Sequence, residues 1–242
     1  MRGGGTRIAC IAYGGWYPRG AARLIQSMHD KSPGFEVLAW VNVLPPGAPG
    51  KVIESDYDYT GYVAKPFAML HMLNTDADIG IVCDASFYAL REIHPLVQHI
   101  SMEGYYLCKN GNLAGEWVSD RSLNYLGIDR RKALEIEEAS SYCVGLNFHH
   151  EKCRELARAW ADSWRAIPGP HTNTMASDGH IGRNPGFCSA HPRVRGHRHD
   201  QTTLSILAWE LGMRDLTERP KFTAYLGSET EETVLVNRGM GS

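Results

Sequence analysis

Asp78-Ile79-Gly80-Ile81-Val82-Cys83-Asp84-Ala85-Ser86 is the stretch that decides the fold class. An apolar run of this length, bounded by polar residues, reads as a short strand buried on both faces. It delivers a carboxylate, Asp84, at its carboxyl end. In open α/β sheets ligands bind outside the carboxyl ends of the strands, so Asp84 stands where chemistry is expected. A carboxylate there can hold Mg²⁺ or Mn²⁺ against phosphate oxygens, with Ser86 as a neutral neighbour. The bland rival is an aspartate that ends a strand and starts a turn.

Upstream, Arg7 to Tyr13 reads as a buried strand closed by Gly14-Gly15, and Ala21 to Met28 as a helix with Leu24, Ile25 and Met28 on one face. Phe35 to Val43 is a second strand, ended by Pro45-Pro46-Gly47. Strand, helix, strand is the start of an α/β fold with a mostly parallel central sheet flanked by helices. Residues 53–62 form an acidic, tyrosine-rich loop. A helix starts near Pro66, which suits a first helical turn, and runs to about Asn74.

Downstream, helices are expected over Leu90–Ile100, Asp120–Tyr125, Arg130–Glu138, Glu151–Arg165 and Gln201–Leu211. Strands are expected over Tyr105–Cys108 and Ser140–Asn147, with a last pair at Lys221–Leu226 and Glu232–Val236. Residues 168–198 carry four prolines, several glycines and four histidines without periodicity. A loop of that length inside a compact domain is usually functional or disordered, and here it reads as a long active-site loop closing over substrate. With no charge run or low-complexity stretch to divide them, residues 1–242 read as a single domain.

Composition narrows the function. The 242 residues are 43% hydrophobic and 21% charged, a globular balance that excludes a disordered chain. A formal net charge of −2 disfavours a dedicated nucleic-acid module. Cysteines at 10, 83, 108, 143, 153 and 188 form no C-x-x-C pair and read as buried hydrophobes in a reducing compartment. Without an apolar run of 18 residues or a signal-like start, a cytoplasmic location with no membrane partner is expected. Gly14-Gly15 lacks the G-x-G-x-x-G pattern and its downstream acid, which argues against a nicotinamide site. Cys188, His191, His197 and His199 match no ordinary zinc spacing.

His197-Arg198-His199-Asp200-Gln201-Thr202 concentrates polar side chains where a helix begins. An N-cap role would explain Asp200 but not its neighbours.

Four segments in order then resemble one family: Ala64-Lys65-Pro66-Phe67, Val82-Cys83-Asp84-Ala85-Ser86, Glu116-Trp117-Val118-Ser119-Asp120 and His197-Arg198-His199-Asp200-Gln201-Thr202. Together they are similar to a bacterial and viral branch of GT-A type nucleotide-sugar glycosyltransferases, over roughly residues 7 to 213. The His-Arg-His-Asp-Gln string is the most specific element. The resemblance implies a GT-A-like domain that moves a sugar from a nucleotide-sugar donor to a hydroxyl of a glycan, a small molecule or a hydroxymethylated base in viral DNA. It implies catalytic roles for Asp200 and Gln201 on the sugar hydroxyls. Tyr13, Gly14, Lys65, Trp117 and His199 would bind substrate, and Asp84 and Ser86 would hold Mn²⁺ or Mg²⁺. Ser86 stands where the pattern has a second acid. That departure raises the alternative of a degenerate module that binds a sugar or nucleotide without turnover.

Overall fold

The computed structural model describes residues 5–12, 17–41, 51–52, 64–75, 77–163 and 188–238. In chain order it runs β1 (Thr6–Ala12), α1 (Tyr17–Lys31), β2 (Glu36–Val41), β3 (Lys51–Val52), α2 (Ala64–Asn74), β4 (Ile79–Asp84), β5 (Phe87–Ala89) and α3 (His94–Glu103). Then follow β6 (Tyr105–Leu113), α4 (Asp120–Leu126), α5 (Arg130–Ala133), β7 (Glu137–Asn147), α6 (Glu151–Asp162), α7 (His199–Glu210), β8 (Thr223–Tyr225) and β9 (Leu235–Asn237).

Six strands form one sheet in the order β3-β2-β1-β4-β7-β6. Strands β3, β2, β1 and β4 pair in parallel, and β7 pairs antiparallel with both β4 and β6. The sheet is therefore mixed, where a mostly parallel one was expected. Leu113 at the end of β6 pairs with Glu137 at the start of β7. The chain thus leaves and re-enters the sheet at one end, and such a connection makes neighbours antiparallel. The excursion between them carries α4 and α5 around a small core of Ala114, Val118, Leu123, Ile128, Ala133 and Ile136.

Alternating side chains feed two cores. On one face Ile8, Cys10, Ile81 and Cys83 pack against Leu24, Ile25 and Met28 of α1 and Leu96 and Ile100 of α3. On the other, Ala9, Ile11, Val82, Val144 and Leu146 meet Met69 and Met72 of α2, Leu156 and Trp160 of α6 and Leu204 of α7. Helices on both faces bury the central strands completely, which explains the unbroken apolar run of β4. A second sheet, β5-β9-β8, joins the first core through Phe87, Ala89 and Leu235. Its strands β8 and β9 are parallel and do not form a hairpin. At Gly20 in α1 an added Cβ would collide with the carbonyl of Ala85, so only glycine lets α1 lie this close to the turn after Asp84.

Other boundaries moved. The helix expected over Arg130–Glu138 stops at Ala133, and Glu138 lies in β7 instead. The helix expected from Leu90 begins at His94, because Phe87–Ala89 is a strand. All six cysteines are free and buried, as their apolar settings suggested. No helix among the described residues is long and apolar enough to cross a membrane.

Candidate functional site

The chain builds β1, β2 and β3 outward on one side and then returns to place β4 on the other side of β1. The strand order reverses between β1 and β4, and a crevice opens outside the carboxyl ends at such a point. Asp84 closes β4 there, in register with Ile11 of β1. Tyr13 and Gly14, which follow β1, lie outside the described residues.

Lys65 is the second residue of α2 and Asp200 the second of α7. The Lys65 ammonium lies 2.9 Å from Asp84 Oδ1 and 3.2 Å from Asp200 Oδ2. It also donates to Ser141 Oγ at 3.4 Å. The Lys65 and Asp200 side chains are 9% and 3% exposed, whereas Asp84 is 32% exposed. Asp84 is thus the member of the trio that a ligand can reach. Asp200 Oδ2 is buried, and Lys65 is its ion-pair partner among the described residues.

Burial alone would depress the Lys65 pKa, but Asp200 and Asp84 outweigh it and hold the ammonium above the ordinary lysine range. Burial raises the Asp84 carboxyl above its usual value, Lys65 offsets part of that rise, and Asp200 adds to it. Two carboxylates sharing one ammonium leave the trio with a formal charge of −1.

Ser141 reaches this point through a break in the sheet. Pairing between β6 and β7 jumps from Leu107–Val144 to Cys108–Ser140, so Ser141, Tyr142 and Cys143 face no partner on β6. Bulges of this kind re-aim side chains and cluster near active sites. The backbone N–H of Ser141 donates instead to Gln201 Oε1 at 3.4 Å.

Asp200 does not cap its helix. Arg198 occupies the N-cap position without a side-chain capping bond. The Asp200 carboxylate turns to Lys65 and its carbonyl accepts from Trp160 Nε1 at 2.9 Å. Gln201 sits beside it, tied to β7 through Ser141 and Glu138. The side chain of His199 lies outside the described ones. Ser86 is buried in the turn after β4. Its carbonyl accepts from Arg23 Nη2 and from the backbone N–H of Arg238, each at 3.0 Å. Trp117 is 8% exposed, and the Arg198 guanidinium covers one ring face at 3.8 Å, so that face is closed to a sugar or base.

A second polar centre lies alongside. Glu138 is fully buried. Its Oε2 accepts from Arg198 Nη1 at 2.7 Å and Asn110 Nδ2 at 2.6 Å, and its Oε1 accepts from Thr202 Oγ1 at 3.3 Å. Burial raises its pKa, offset in part by Arg198, Asn110 and Gln201. Sequence reasoning missed Glu138, Ser141 and Asn110. A glutamate entering a wholly buried strand demands a cation, but that signal vanishes when Glu138 is read as the end of a helix.

Of the long loop, residues 168–187 lie outside the described residues. Residues 188–198 are docked on the segment before and within α4. Asp120 N donates to the Cys188 carbonyl, Arg195 N to that of Glu116 and Arg198 N to that of Trp117. His197 is buried against Ser119 and Ser122. This part is a packed strap.

The metal expected at Asp84 and Ser86 fits this arrangement poorly. Lys65 Nζ takes Asp84 Oδ1 at 2.9 Å, and among the described residues no three His, Cys, Asp or Glu side chains converge. No protein-family model and no curated protein matches the chain.

Proposed function

We propose that this protein is a GT-A type glycosyltransferase that moves a sugar from a nucleotide-sugar donor to a hydroxyl acceptor. One observation carries the reading. Lys65, Asp84 and Asp200 come from three separate segments that resemble that family, and a single ammonium joins all three at the strand-order reversal. Asp84, with about a third of its side chain exposed, is the member of the trio nearest to solvent.

The chemistry follows from the residue types. Sugar hydroxyls are donors, and ionised Asp84 and Asp200 are acceptors only. Lys65 holds both carboxylates in place, and Asp84 meets the incoming ligand. The amino ends of α2 and α7 converge on the same place, and their partial positive charge favours a diphosphate. Charge on the departing nucleoside diphosphate is what the site must stabilise in the transition state.

Among acceptors, DNA draws the least support. Arg193 is paired with Glu116 and Arg198 with Glu138, which leaves Arg195 as the one arginine of that cluster without a carboxylate partner among the described residues.

Incubation with a panel of sugar nucleotides, with and without Mn²⁺, tests the reading. Release of nucleoside diphosphate above a heat-treated control, lost in Asp84→Asn, is the expected result. No release and no binding across the panel would overturn it. Ser86 in place of an acid favours the second reading, a binding module, and calorimetric binding with no released diphosphate would select that one.

A further inference from the structure

We propose, building on the glycosyltransferase reading, that the rim beside Asp84 binds the acceptor and that this acceptor is an acidic sugar. The sugar ring lies on Tyr225, and its carboxylate or phosphate meets Arg219. The charge on Arg219 is the first observation. Among the described residues no carboxylate pairs with it, and its one oxygen acceptor there is Asn110 Oδ1, 3.2 Å from Nη2. The carboxylate on the far side of Asn110 is Glu138, which already has Arg198 at 2.7 Å. Burial holds the Tyr142 phenol above its usual range, so this neighbour stays neutral as well. Arg219 is only half-buried, and a cation so placed with no acid beside it suits the acid of a ligand.

The second observation is how Arg219 is held. Its guanidinium lies over the rings of Tyr142 and Tyr225, 4.6 and 5.1 Å from their centroids. Stacking engages the faces of a guanidinium, while its N–H donors point outward in its plane. That geometry takes the two oxygens of a carboxylate or phosphate side by side. Tyr225 is 50% exposed and the next residue, Leu226, 57% exposed, so the cation borders an open apolar surface. A half-open tyrosine fixed by its neighbours offers a rigid flat surface to the apolar side of a sugar ring.

The third observation is place. β5 begins at Phe87, three residues after Asp84, and Phe87, Asn237 and Tyr225 stand in register across the small sheet. At about 4.8 Å per strand, Tyr225 is about 10 Å from Phe87. The Tyr142 ring spans that interval, 5.1 Å from Phe87 and 6.2 Å from Tyr225. Tyr142 also follows Ser141, which accepts from Lys65. Phe87 and Tyr142 belong to the core on one face of the main sheet, whereas α2 and α7 pack on the other. The helix ends that suit a diphosphate and the rim at Arg219 therefore do not compete for one place, and the rim is left for the acceptor.

Binding alone tests this, with neither donor nor turnover required. Glucuronic acid, glucose 6-phosphate and glucose are titrated into the whole protein and followed by saturation-transfer NMR. The acidic sugars should bind about tenfold more tightly than glucose, because a charge-assisted contact is added to the same ring. High salt should shrink that advantage. Whichever acidic sugar binds better names the source of the charge, a uronic acid or a phosphosugar. Arg219→Gln should erase the advantage. Should that variant not fold, Arg219→Lys keeps the charge without the planar fork and should lose most of it. Tyr225→Ala, at an exposed position, should weaken all three ligands about fivefold and keep the preference. Equal binding of the three sugars, or no binding of any, would overturn the proposal. So would an advantage that survives the loss of the Arg219 guanidinium, or unchanged affinities in Tyr225→Ala. Diphosphate release without any preference for acidic sugars would also overturn it while leaving glycosyl transfer standing. No release from any sugar nucleotide would defeat the functional reading, and the binding arms would still decide whether this rim takes an acidic sugar.

Discussion

Glu138 and Asp200 are both buried acids at the amino end of α7, yet their surroundings treat them differently. Glu138 has hydrogen-bond donors on both of its oxygens, from Arg198, Asn110 and Thr202, and none of its surface reaches solvent. Asp200 shares one ammonium with Asp84, and that ammonium is the ion-pair partner of its carboxylate among the described residues. A network in which every buried polar atom is met specifies structure. A buried carboxylate that shares its counter-ion with a second, part-exposed carboxylate leaves a net negative charge, the kind of arrangement found at functional sites. The pair teaches that buried charge alone does not mark function. The sharing of its counter-ion does.

Substitutions can break that contrast, and the largest effect belongs to the open carboxylate. Asp84→Asn should lower sugar transfer by about a thousandfold, near 4 kcal/mol in the transition state. Its melting temperature should stay close to wild type. A variant that keeps its turnover but melts several degrees lower would make Asp84 structural.

Glu138→Ala should do the reverse. Removing one partner of a buried ion pair costs about 3 kcal/mol or more, so denaturant unfolding should shift strongly to lower concentration. A similar loss of transfer at unchanged stability would erase the distinction between the two centres.

Asp200→Asn removes one charge of a buried ion pair, so it should fold with a lowered melting temperature and lose about a hundredfold in turnover, near 2.7 kcal/mol. Steady-state kinetics beside a thermal melt would separate this outcome from a lost ion pair with Lys65 that merely softens the fold.

Gln201 touches both centres, through Ser141 and through Glu138. Gln201→Ala should cost about 1 kcal/mol in stability and a few-fold in rate, and a double mutant with Glu138→Ala should be less than additive.

The smallest effect is a pH dependence. Burial holds the Glu138 pKa above its unfolded value, so the folded state keeps that proton to higher pH. The associated stability is fully present below the unfolded pKa and lost as pH rises through the folded one. Glu138→Gln has no such proton to lose. The difference in melting temperature between variant and wild type should therefore shift in favour of the variant from pH 4 to pH 7. A shift of the opposite sign would mean that Arg198 and Asn110 outweigh burial.

The amino acid order by itself was enough for the α/β class, for β4 ending in Asp84, for the burial of all six cysteines and for the helices around Lys65 and Asp200. Those features rest on local periodicity and on a residue's own chemistry, which neighbours a few positions away already express. It also singled out Lys65, Asp84 and Asp200, three positions far apart in the chain.

Only the tertiary structure decided that one ammonium serves both acids, that Glu138 enters a strand with Arg198 as its counter-ion, and that residues 188–198 are strapped to α4. The same holds for the direction of β7. Its reversal follows from where the excursion through α4 and α5 re-enters the sheet, and no local pattern carries that information, because parallel and antiparallel strands bury the same apolar residues. Charge pairing across the fold is equally silent in the sequence. A lysine at the start of α2 meets an aspartate at the start of α7 only after the sheet has brought both helix ends to the point where its strand order reverses.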